Sequence, residues 1–310
     1  MPVFAPEGGF VLVAARGLAL AGLLSVAGTL SFRMLVVSRS LARMTPETRE
    51  RIERGLRRWL RASAAFAMVG LLAWLVALTQ NLAAPDSPGA WIGDLAAVLR
   101  DTSFGRVLLL QLALLVAMVP VLGRHPGPAR WWGALGLGWA ACLAEIGHSH
   151  AYAMASGVSA LEIAEGLHLW AAAAWLGGLA PLCFVIRTAS PAAAAWTARW
   201  FSPLGKLCIV LLLLSASLQG VILVGSLDAL VHTAYGWTAC MKLGLFGVLT
   251  AFAALNRYRL APALLSQHPA TARRRLLASV AVQTGFGLIL VFVAALLAQL
   301  RPGMDMGMPG

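Results

Sequence analysis

The sequence predicts an all-α polytopic membrane protein, a bundle of about eight transmembrane helices with both termini on the outer side. Three observations carry this. The 310 residues are 60% hydrophobic and only 12% charged, whereas a soluble domain has roughly a quarter of its residues charged. The apolar residues gather into eight runs near the ~20 residues needed to span a bilayer. Most of the basic residues lie in alternate connecting loops.

The eight runs lie at approximately 10–37, 60–83, 105–123, 131–151, 161–186, 202–226, 237–256 and 276–300. The fourth begins at Trp131 and Trp132, an aromatic anchor at a membrane–water boundary. Loop 1–2 holds eight arginines between Arg39 and Arg61, and loop 3–4 holds Arg124 and Arg130. The loop 5–6 region holds Arg187, Arg199 and Lys206, and loop 7–8 holds Arg257, Arg259 and Arg273 to Arg275. These are 18 of the 24 Lys and Arg, and the positive-inside rule makes that side cytoplasmic. Both termini then face outward, which is the periplasm in a Gram-negative host.

The formal charge of +12 and pI near 11.1 would suggest nucleic acid in a soluble chain. Here the distribution of charge assigns it to topology, with the lipid bilayer as partner and no nucleic acid. No loop is long enough for a soluble domain, so residues 1–310 read as one transmembrane domain ending in a methionine-bearing tail, 301–310. Asp94 to Arg100 reads as an amphipathic stretch on the membrane surface. Loop 1–2 reads as an extension of the first two helices. Cys142, Cys183, Cys208 and Cys240 are scattered in apolar stretches and read as packing residues rather than a disulfide framework. No cleavable signal peptide is expected. There is no P-loop, and no enzymatic activity is expected.

An ionisable side chain inside a bilayer is costly and marks function by default. The fourth run ends Glu145-Ile-Gly-His148-Ser-His150, and the fifth begins Glu162-Ile-Ala-Glu165-Gly-Leu-His168. Residues three apart share a helix face, so Glu145 and His148 share one, and Glu165 and His168 another. A short loop joins the two helices as antiparallel neighbours, so two Glu-x-x-His steps are expected to face each other. His168 should lie about ten residues deep, roughly 15 Å at helical rise. Carboxylate and imidazole in that arrangement suit a transition metal, although a Glu–His pair also serves as a strut between helices. Glu162 reads as solvated. His150 and Met154 form either an outer capture site or an ordinary polar loop. Arg16 either snorkels outward or pairs with Glu145 or Glu165, and Lys242 is a similar intramembrane charge. His232 and Tyr235 read as ordinary residues of the outer 6–7 loop. The tail carries Met304, Met306 and Met308 at alternate positions, and thioethers are soft ligands for Cu(I).

Several short motifs, in order, resemble the CopD copper-resistance family. They are Arg16, Gly147-His148, Glu165 and His168 through Trp175-Leu-Gly-Gly-Leu179, and Arg199-Trp-Phe-Ser202. Thr233-Ala-Tyr-Gly236 leads to Lys242-Leu243, then Asn256-Arg-Tyr-Arg-Leu-Ala-Pro262. Where the family often has Asp, this chain has Glu165. The resemblance implies copper transport across the bacterial inner membrane, by uptake from the periplasm, with a small copper-binding protein of the CopC type as donor. On that reading copper is captured by Met304, Met306, His150 and Met154 and passed to Glu145, His148, Glu165 and His168. Two rivals remain open on the residues alone. One is a b-type haem electron carrier with histidine axial ligands; the other is a copper-binding scaffold that does not transport.

Overall fold

The computed structural model describes residues 6, 8–83, 88–123, 126–149 and 160–301, which are mostly helical, with no strand among them. The helices are α1 (Gly9–Phe32), α2 (Pro46–Ala83), α3 (Pro88–Asp101), α4 (Ser103–Val121), α5 (Pro128–Leu143), α6 (Ala160–Thr188), α7 (Pro191–Val224), α8 (Leu227–His232), α9 (Ala234–Leu255) and α10 (Pro269–Leu297). Seven described helices are long and apolar enough to cross a membrane: α1, α2, α4, α6, α7, α9 and α10. The eighth expected span corresponds to α5, which has only 16 α-helical residues. A five-residue 3-10 turn, Ala144–His148, continues it. At 1.5 Å per α-helical and 2.0 Å per 3-10 residue the two together rise about 34 Å, enough for a hydrocarbon core of about 30 Å.

Local chemistry sets the helix starts. Thr102, Ser190, Ser226 and Thr233 cap α4, α7, α8 and α9 by accepting a backbone N–H three residues on, which satisfies one of the free donors of a first turn. Pro128, Pro191 and Pro269 open α5, α7 and α10, where a missing N–H costs nothing. The cap at Ser190 and the alanines that follow start α7 well before residue 202. Arg199 and Lys206 therefore stand on a helix rather than in a loop. Tyr235 likewise lies in the first turn of α9 and is buried, not in a loop.

α1 runs through the middle of the bundle. One side, with Ala15, Ala19, Leu23, Val26 and Leu30, packs into a core shared with α2, α4 and α5. The other side, with Leu20, Leu24 and Ala27, packs against Ala173 of α6 and Val291 and Ala295 of α10. A second large core joins α6, α7 and α10. Apolar side chains gain little from burial against lipid, so close approach through small residues drives such packing. Gly22 lies against Ala67 of α2, and Gly28 lies against Gly177 of α6. All four cysteines are free, with Cys142 and Cys208 buried.

A polar contact ties α1 to the end of α10. The Arg16 guanidinium donates to the backbone carbonyl of Ala298 at 3.4 Å. The arginines of the α1–α2 connection, with Arg187 and Arg273, gather at the opposite end of the bundle, where Arg33 pairs with Glu53 at 2.7 Å and Arg273 donates to the Ala189 carbonyl at 2.8 Å.

Candidate metal centre

Two polar clusters sit near the end of the bundle remote from the arginine-rich connections. The first is built on α1, α4 and the 3-10 turn after α5. Arg16 and Glu145 are both buried, with side chains 7% and 4% exposed, and pair at 3.2 Å. The same Arg16 nitrogen donates to the His148 carbonyl at 3.3 Å. Gln111 of α4, fully buried, donates from Nε2 to the Glu145 carboxylate at 3.4 Å and to the Ala141 carbonyl at 3.3 Å. Of the alternatives open to Arg16 in the sequence, the structure selects the pair with Glu145.

His148 completes this cluster. Its Nε2 lies 3.3 Å from Gln111 Oε1. That oxygen only accepts, because the amide's nitrogen is committed to two carbonyl-type oxygens, so Nε2 carries the ring proton. Nδ1 then holds a lone pair, and it is buried with no hydrogen-bond partner. The ring is gripped by Trp74 of α2 and Phe104 of α4, each with its centroid 4.8 Å away. Trp74 also receives the Arg16 guanidinium, 4.9 Å from its ring centroid.

The second cluster lies between α6, α7 and α9. His168 stands eight residues into α6, about 12 Å along its axis. Its Nδ1 lies 3.0 Å from the Ser215 hydroxyl on α7. That hydroxyl spends its single proton on the Leu211 carbonyl at 2.7 Å, so it accepts from His168 Nδ1–H. The lone pair is left on Nε2. One turn before His168, Glu165 accepts from Gln219 of α7 at 3.0 Å. Lys242 and Tyr235 of α9 are within electrostatic range of Glu165.

The two Glu-x-x-His steps therefore do not face each other as their spacing suggested. α6 turns Glu165 and His168 toward α7, while Glu145 and His148 face α1 and α4. The carboxylates are taken up by a guanidinium and two amides rather than by imidazoles. Among the described residues no group of three or more His, Cys, Asp and Glu is placed to hold one metal ion. The clusters are nonetheless neighbours: Gly166 of α6 lies beside the Ile146 side chain, and Glu145 and Glu165 are within electrostatic range of each other. Each cluster offers one imidazole tied at one ring nitrogen, as metal-ligating histidines are, and that of His148 has its other nitrogen buried without a partner.

His150, Met154, Met304 and Met306 lie outside the described residues. The residues that spacing arguments passed over are Gln111, Ser215 and Gln219. Each is an uncharged polar side chain inside an apolar run, and Ser215 and Gln219 stand four apart on one face of α7. That placement was the available signal.

Comparison with known proteins places these features in context. Residues 6–161 match the family described as copper resistance protein D-like, N-terminal domain, and residues 195–297 match copper resistance protein D. The chain is 27% identical over 265 residues to copper resistance protein D of Pseudomonas syringae pv. tomato, covering 79% of this chain and 84% of that protein. It is 28% identical over 222 residues to copper transport protein CutJ of Bacillus subtilis, covering 67% of this chain. The chain spans 40% of the length of CutJ. No solved structure matches.

Proposed function

The chain belongs to the copper resistance protein D family, and from that premise we propose that it carries copper across the bacterial inner membrane, inward from the periplasm, as a transporter rather than an enzyme. Copper is the substrate. His148 Nδ1 and His168 Nε2 are its principal ligands, with Glu145 and Glu165 as nearby anionic groups that attract the cation and hold the protonated partners in place. His150, Met154, Met304 and Met306 form the outer capture site, and a periplasmic protein of the CopC type delivers the metal. What supports this reading above all is the pair of imidazoles, each tied at one ring nitrogen by a side chain of a neighbouring helix, with His148 Nδ1 buried and without a hydrogen-bond partner.

Gln111 and Ser215 set those tautomers. Groups that orient a metal-bound histidine are worth about 10–100-fold in affinity, and the ligands themselves are worth more. His148→Ala combined with His168→Ala is therefore expected to weaken copper binding by at least about 100-fold in a chelator-competition titration of purified protein with Cu(I) and, separately, Cu(II). Ser215→Ala should weaken it by about tenfold. Unchanged affinity in the double variant would refute the site. A Soret band in the purified wild type would instead support haem ligation.

A further inference from the structure

A cavity of about 350 Å³ opens at the arginine-rich end, between α6, α7, α9 and α10. Its size is in the range of small-ligand sites. Trp175, Leu179 and Phe201 form part of an apolar floor, and Ser202, Lys206 and Arg257 stand at its polar side. α9 is the least buried of the described membrane-spanning helices, and the cavity lies beside exposed apolar residues such as Leu207 of α7 and Leu243 of α9.

The polar side is electrically unbalanced. α9 ends in a π-helical turn, Asn256–Leu260, and Arg257 in it donates to the Ser202 hydroxyl. Arg257 Nε and Asn256 Oδ1 are buried without partners. Among the described residues neither Lys206 nor Arg257 is paired with a carboxylate. The sequence offers little to pair them with: between Glu165 and Asp305 its only acidic residue is Asp228, which lies in α8, across the bundle.

We infer that this cavity binds one anionic phospholipid, its phosphate held by Arg257, Lys206 and Ser202 and part of an acyl chain lying against Leu179 and Phe201. A basic pocket between transmembrane helices recognises acidic headgroups through its Lys and Arg. The apolar floor distinguishes a lipid from a soluble phosphate, which would leave that surface unused.

Native mass spectrometry of the full chain in detergent, titrated with phosphatidylglycerol, phosphatidylcholine and glycerol 3-phosphate, tests this. The wild type should retain phosphatidylglycerol selectively. Lys206→Gln with Arg257→Gln should weaken that retention by about 30-fold, and Lys206→Gln alone by about fivefold. Gly205→Leu, whose Cβ meets only the Trp175 ring at ordinary contact distance, should fill the floor and weaken both lipids without loss of thermal stability. Arg274→Gln with Arg275→Gln removes equal charge outside the cavity and should change nothing. Equal retention of the two phospholipids would overturn the inference. So would glycerol 3-phosphate binding as tightly as the lipid, or equal loss in the Arg274 and Arg275 control.

Discussion

Arg16→Met is expected to destabilise the protein by about 3–5 kcal/mol, because it leaves the Glu145 carboxylate charged, buried and without its counter-ion. The guanidinium makes three hydrogen bonds, to Glu145, to the His148 carbonyl and to the Ala298 carbonyl. It thus ties the first helix to the turn after α5 and to the end of α10. Methionine fills similar volume and keeps the contact with Trp74, so the loss is electrostatic rather than steric. Replacing both members, Arg16→Met with Glu145→Met, removes the uncompensated charge and should recover much of the stability, since apolar replacement of a buried pair is often neutral. Unfolding in mixed micelles gives the comparison. A double variant no more stable than the single would show that the pair's charge is not what holds this end together.

The second large effect is steric and lies deeper in the bundle. A Cβ added to Gly28 would come within 2.1 Å of the Ala173 carbonyl oxygen and 2.5 Å of the Gly177 Cα. A Cβ on Gly177 would come equally close to the Leu24 carbonyl. Both obstacles are backbone, so no rotamer relieves them, and α1 and α6 would have to separate. Gly28→Leu is expected to cost about 3 kcal/mol or more, at or above the usual range for overpacking, whereas Gly285→Leu, with nothing within 4 Å of its Cβ, should be close to neutral. The same micelle unfolding assay reads both. Equal stability of the two variants would contradict the close crossing.

The fold class was legible because it rests on composition and long apolar runs, which tertiary detail does not alter. The candidate site was legible only in part. Arg16, Glu145, His148, Glu165 and His168 stood out as ionisable residues in apolar surroundings. Spacing of three correctly put Glu165 and His168 on one face of α6, but spacing says nothing about which neighbour that face meets. That depended on α6 packing against α7, where Ser215 and Gln219 wait, and on the small residues that bring α6 onto α1. The turn after α5 was hidden for another reason. Its change from α to 3-10 winding re-aims Glu145 and His148, and no apolar period records it. Gln111 carried no charge to draw attention, yet it touches both Glu145 and His148.

The central claim is that copper crosses the membrane through this protein by way of His148 and His168. Copper influx into proteoliposomes containing the purified chain tests it most directly, with outward-facing protein and an internal copper indicator. The account predicts influx well above that of empty vesicles, and influx reduced to the empty-vesicle level in His148→Ala with His168→Ala. Wild-type influx no greater than in empty vesicles, or undiminished influx in the double variant, would contradict it.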